Sequence, residues 1–129
     1  MGGERGNVLA AVFAGGMVGA AIRTGLVELA PTHPGRWPWT TFAVNVAGCL
    51  LIGYVATRMK GRLPVAHAFL ATGVCGALTT FSTMQLELLR MLDRGDLLLA
   101  AAYAGGSVIA GLTGVALGTA VGRRALLTW

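Results

Sequence analysis

Gly73-Val-Cys-Gly76-Ala-Leu-Thr79-Thr80-Phe81-Ser82-Thr83-Met84-Gln85-Leu-Glu87 lies midway along an otherwise apolar run, and its polarity decides how the chain folds. The stretch carries two glycines, four hydroxyl residues, an amide and a carboxylate. Lipid solvates none of these groups, nor any backbone N–H and C=O freed by a break in a helix. Polar, irregular backbone survives at membrane depth only where it is buried in protein or lines a watery path. A small membrane protein with such a segment is read as one that moves or binds an ion.

Working outward, the membrane premise holds along the chain. Hydrophobic residues make up 55% and charged residues only 12%, and the mean hydropathy of +0.71 is far from soluble averages. Most of the charge is confined to three clusters: Arg58, Lys60 and Arg62; Arg90, Asp93, Arg94 and Asp96; and Arg123 with Arg124. With the Pro/Trp-rich stretch from Pro31 to Trp39, these separate four apolar stretches, about Val8 to Ala30, Thr40 to Thr57, Val65 to Leu92 and Leu97 to Val121. At 1.5 Å per residue each crosses a hydrocarbon core of roughly 30 Å, the second at the short limit. The reading is a single all-α domain over residues 1–129, with four transmembrane helices and short loops.

The net charge of +5 does not point to nucleic acid. No basic stripe carries interleaved aromatics, and most arginines fall at helix ends. Trp37, Trp39 and Trp129 suit interfacial anchoring. Arg5 ahead of an Ala/Gly-rich run resembles a secretory signal, but the other three spans stand without it. Cys49 and Cys75 fall inside spans, where free thiols behave as small hydrophobes and define neither a disulfide framework nor a metal site. His33 and His67 read as structural or solvated. No nucleophile elbow, phosphate loop or zinc spacing is present, so the chain is not read as an enzyme.

Twenty glycines form the second signal. Gly15-xxx-Gly19 and Gly114-xxx-Gly118-xxx-Gly122 put bare backbone on one helix face, where close packing is the simplest use. Four spans make a thin bundle with little interior, so a polar third helix argues for pairing with a second copy.

Helix periodicity shows which polar groups share a face. Thr41, Asn45 and Gly48 recur on the second helix, Thr79, Thr83 and Glu87 on the third, and Tyr103, Ser107, Gly111 and Gly114 on the fourth. Arg23 stands near the end of the first, where snorkelling to headgroups is the plain alternative. Asn45 offers amide N–H groups; Tyr103, Ser107, Ser82 and Thr83 offer hydroxyls; Phe81 offers a positive ring edge. These suit an anion. A break near Gly76 to Thr80 would instead turn carbonyls outward, and those favour a cation.

The chain resembles the Fluc (CrcB) family of fluoride channels over nearly its whole length. The resemblance rests on Gly15-Gly16-Met-Val-Gly19-Ala-Ala-Ile-Arg23, on Trp37-Pro-Trp39-Thr-Thr41-Phe-Ala-Val-Asn45-Val-Ala-Gly48, on Gly73 to Thr83, and on Tyr103-Ala-Gly-Gly-Ser107. It implies an antiparallel, dual-topology homodimer in a bacterial cell membrane, with two fluoride pores lined by both subunits. It also implies a structural sodium ion at the two-fold axis, held by the carbonyls of Gly76 and Thr79. Pore positions carry over to Asn45, Phe81, Met84, Tyr103 and Ser107, with Arg23 in the vestibule. The polar track carries over to Ser82, Thr83 and Glu87, beside Thr41. Two positions depart: Met84 stands where the commonest pattern has Phe, and Gly111 where a second hydroxyl is expected.

One rival is a small multidrug-type, proton-coupled exporter, which needs a carboxylate at the centre of the first helix. The only acid in that span here is Glu28, near its end. A non-transporting assembly subunit is the second rival. Arg5, Arg58, Lys60, Arg62, Arg123 and Arg124 fall on the N-terminal side against Arg36, Arg90 and Arg94 opposite, which favours a cytoplasmic N-terminus. Dual topology is nonetheless expected from the resemblance, because such short loops leave the bias weak.

Overall fold

The apolar stretches fold as helices because, in lipid, each backbone N–H must find a carbonyl within its own segment. The computed structural model describes residues 2–127, so Trp129 lies outside the described residues. Helix α1 spans Gly2–Leu29 and α2 spans Trp39–Met59. The third span is built in pieces: α3 Pro64–His67, a π-helical segment Ala68–Cys75, α4 Gly76–Leu78 and α5 Phe81–Asp93. Helix α6 spans Leu97–Leu127. The paths Gly3–Leu29, Trp39–Met59, Pro64–Asp93 and Leu97–Leu127 are each long and apolar enough to cross a membrane. The described residues contain no strand. The expected all-α, four-span architecture is thus present, with the third helix broken at Thr79 and Thr80.

Helix ends follow local chemistry. After α5, Gly95 takes φ +79°, its N–H bonds to the Leu92 carbonyl, and the Asp96 N–H bonds to the Met91 carbonyl. This paired closure needs a left-handed residue, which glycine supplies without strain. It lets α6 start at once and return alongside α5.

Packing is pairwise. The π segment and α4 lie against α1, α2 lies along α6, and α5 leaves that first pairing to pack on α6. The third span is the most enclosed: 39% of its apolar window is buried, against 11% for α1. It is therefore the centre of the bundle and α1 is a rim helix. The outer faces of α1 and α6 expose Leu9, Phe13, Ile109 and Leu112, as expected where lipid or another copy is the neighbour.

The glycine stripes are where backbones meet. A side chain at Gly15 would run into the Phe69 carbonyl, and one at Gly19 into the Val74 carbonyl. On the other pair, Gly118 faces the Leu50 carbonyl and Gly53 the Val115 carbonyl. Such close approach of bare backbone gives the van der Waals packing that, with interhelical hydrogen bonds, drives helix association in lipid.

Trp37 packs against the bundle. Its ring is half-buried, edge-on to Tyr103 (5.4 Å, 81°) and to Phe42 (5.4 Å, 76°). It reaches there because Gly106 leaves room; a Cβ at that position would sit 3.0 Å from the indole. Trp39 is exposed at the start of α2.

Gly19 and Gly16 share one helix, so Ala at either changes helix propensity equally. Nothing lies within 4 Å of a Cβ at Gly16, whereas Gly19 abuts the Val74 carbonyl. Gly19→Ala should destabilise the detergent-solubilised protein by about 1–3 kcal/mol relative to Gly16→Ala. Comparing their thermal unfolding checks this, and equal midpoints would remove the close contact between α1 and the third span.

Candidate functional site

The break is made by one side chain. Asn45, on α2, meets the backbone of Thr80 with both amide ends: its Oδ1 accepts from the Thr80 N–H at 2.7 Å and its Nδ2 donates to the Thr80 carbonyl at 3.2 Å. In an unbroken helix that N–H would bond to the Gly76 carbonyl four residues back. Diverted to Asn45, it leaves the Gly76 carbonyl outside the helical ladder. Thr79 and Thr80 are extended, with ψ 147° and 108°.

Threonines on either side finish the ends. The Thr79 N–H and hydroxyl both donate to the Cys75 carbonyl, at 3.0 and 2.9 Å. The Thr80 hydroxyl accepts from the Thr83 N–H at 3.2 Å, capping α5, and donates to the Thr83 hydroxyl at 2.8 Å. Ser82 is exposed, its Oγ 3.4 Å from that of Thr80. Gly48 of α2 lies under the Thr79 methyl, so bare backbone there seats the break.

Asn45, Phe81, Met84, Ser107, Gly76 and Thr79 line one open cavity of about 390 Å³. These are expected pore and carbonyl-site residues brought to one place. Ser107 Oγ is buried and, among the described residues, has no hydrogen-bond partner. A buried hydroxyl without a partner is rare and is a donor in waiting. Phe81 is 67% exposed at the start of α5, presenting its ring to the cavity side, while Met84 packs inward toward the cluster of Tyr103, Met91 and Ala100.

The remaining expected residues lie elsewhere. Arg23 shares a separate groove with Thr41, Thr80 and Thr83. Tyr103 is fully buried and donates to Glu87 Oε2 at 2.6 Å, so its hydroxyl is directed at a carboxylate instead of the cavity. Thr41 donates to the other oxygen, Oε1, at 2.7 Å, with Thr32 at a long 3.5 Å. Glu87, only 7% exposed, therefore ties α5 to α2 and α6 through its two oxygens. Such charge-assisted bonds are what a buried carboxylate requires.

Thr80 was missed as a site residue, although a threonine three residues before Thr83 at the head of a new helix is a readable cap signal. The eight-residue π segment has no sequence signal we can identify. Such widened turns are rare and gather at functional sites.

Comparison with known proteins finds relatives along most of the chain. A relative from Mycobacterium tuberculosis (strain CDC 1551 / Oshkosh), named fluoride-specific ion channel FluC 1, is 52% identical over 119 residues, covering 90% of each chain. One from Hyphomonas neptunium, named fluoride-specific ion channel FluC, is 43% identical over 118 residues, covering 88% of this chain and 93% of its own. A third, from Novosphingobium aromaticivorans with the same name, is 42% identical over 117 residues, covering 87% and 93%. Four apolar helices and bacterial relatives of this kind make the chain a bacterial multi-pass membrane protein. Residues 10–119 match the family described as CrcB-like protein, Camphor Resistance (CrcB), and the chain belongs to that family.

Proposed function

We propose that the protein is a fluoride channel that lets accumulated fluoride leak passively out of the cell. The observation that carries this reading is the unpartnered Ser107 hydroxyl, buried on the wall of the cavity that also holds Asn45 and the Phe81 ring. Fluoride is small and strongly hydrated, so a pore must replace lost water with several donors yet hold the ion loosely. Ser107 supplies one hydroxyl. Asn45 spends one amide hydrogen on the Thr80 carbonyl and keeps the second. The edge of Phe81 adds a weak positive pole, and Met84 a softer one. Narrowness excludes chloride, and an inside-negative potential contributes about 2.3 kcal/mol per 100 mV to outward flow.

The pore belongs to a pair. The cavity is open on the side where Phe81 is exposed, and a second, antiparallel copy closes it, giving two pores per dimer. The Gly76 and Thr79 carbonyls of the two copies would hold a structural sodium ion. The fit rests on the Gly76 carbonyl, which loses its Thr80 partner to Asn45. When bound, such an ion would offset carbonyl dipoles that otherwise face each other in a dry interior. It does not travel with fluoride.

Purified protein in liposomes should release fluoride electrodiffusively, with little chloride flux, as read by ion-selective electrodes after a potassium ionophore is added. Release no faster than from protein-free vesicles would reject the channel. Replacing sodium on both sides with a large organic cation should weaken activity or dimer assembly. Full activity and full assembly in strictly sodium-free buffer would remove the ion from the account.

A further inference from the structure

A second polar cavity lies at the far end of α5, where the loop between α1 and α2 folds over it. It is small, about 60 Å³, and its rim carries Arg36, Arg90 and Arg94 beside His33, with Glu87 lining it from below. At roughly 10–15 Å³ per water position it admits a few waters, or a small anion with part of its shell. Within its lining three arginines face one carboxylate, Glu87, whose two oxygens accept from the Thr41 and Tyr103 hydroxyls. Of the acids nearby, Asp96 lies 3.7 Å from Arg94 and Asp93 is exposed.

Glu87, in the lining of this cavity, is hydrogen-bonded to a residue of the groove that holds Arg23. Glu87 Oε1 accepts from Thr41, and Thr41 also lines the groove of Arg23, Thr80 and Thr83. The Thr41–Glu87 hydrogen bond therefore lies between the arginine rim and the groove that Thr80 and Thr83 also line. An anion arriving at this end meets three guanidiniums first, and a concave, positively charged mouth raises the local anion concentration.

We propose that the pocket rimmed by Arg36, Arg90 and Arg94 is an electrostatic collecting site for small hydrated anions at this end of the permeation route. The inference rests on the channel reading above. Two arginines with exposed side chains, Arg36 and Arg90, carry the effect, while Arg94 is partly offset by Asp96. In an antiparallel pair the same rim recurs at each membrane face, so collection serves flow in either direction.

The test is fluoride efflux from liposomes of neutral phosphatidylcholine containing the full-length protein, with an impermeant salt setting the ionic strength. At about 10 mM the Debye length is about 30 Å, and at about 1 M it is about 3 Å. Two charges roughly 8 Å from the ion's path change its local concentration about fivefold at low salt. Arg36→Gln with Arg90→Gln should thus slow efflux about fivefold at low salt and leave it near wild type at high salt. The double Lys variant should restore the low-salt rate. Equal slowing at both salts, or no slowing at either, would overturn the collecting role. So would a loss that appears only when anionic lipid is added, since the arginines would then be binding phosphate headgroups. Wild-type protein that releases no fluoride at all would instead overturn the channel reading on which this rests.

Discussion

The pairing of the Asn45 amide with the Thr80 peptide is the contact on which the rest depends. It is a side chain standing in for a helix's own ladder. Because Asn45 Oδ1 takes the Thr80 N–H at 2.7 Å, the third span cannot continue past Leu78 as one helix. Because Nδ2 returns to the Thr80 carbonyl, the extended residues are held at a fixed place without water. Thr80 is then free to cap a new helix. That helix leaves α1 and packs on α6, which delivers Glu87 to the hydroxyls of Tyr103 and Thr41. A continuous helix with the same sequence would keep the Gly76 carbonyl bonded and would lose the cavity edge formed by Gly76, Thr79 and Phe81.

Much of this was legible in the sequence, for definite reasons. Hydroxyls and glycines inside an apolar run leave few options in lipid, so the position of the break followed from the residues between Gly76 and Thr80. Small residues at every fourth position mark a face, and Gly15, Gly19 and Gly118 do meet backbone carbonyls. What a face touches is another matter, because it depends on helix rotation and pairing. Tyr103 and Ser107 fall on one stripe of α6, yet one donates to Glu87 and the other lines the cavity. Trp37 reads as an anchor from its neighbours Pro38 and Trp39. Its burial on Tyr103 depends on Gly106, about seventy residues away.

The polar residues divide into two groups around the break. Asn45, Phe81, Met84 and Ser107 face one cavity, and Arg23, Thr41 and Thr83 the groove beyond it. Thr80 joins them, since its backbone binds Asn45 and its hydroxyl binds Thr83. In the proposed channel an ion passes from donors on one side to hydroxyls on the other through this junction, and Met84 and Gly111 make the wall softer and less polar than the usual pattern. The central role given to Asn45 can be tested at one atom. Asn45→Asp keeps an oxygen for the Thr80 N–H but loses the donor to the Thr80 carbonyl and places negative charge on an anion's route. Fluoride efflux from liposomes containing this variant, shown to be folded and monodisperse, should fall about tenfold or more, the expected effect of losing a charge-sensitive buried hydrogen bond. A rate equal to wild type in equally well-folded protein would contradict the account.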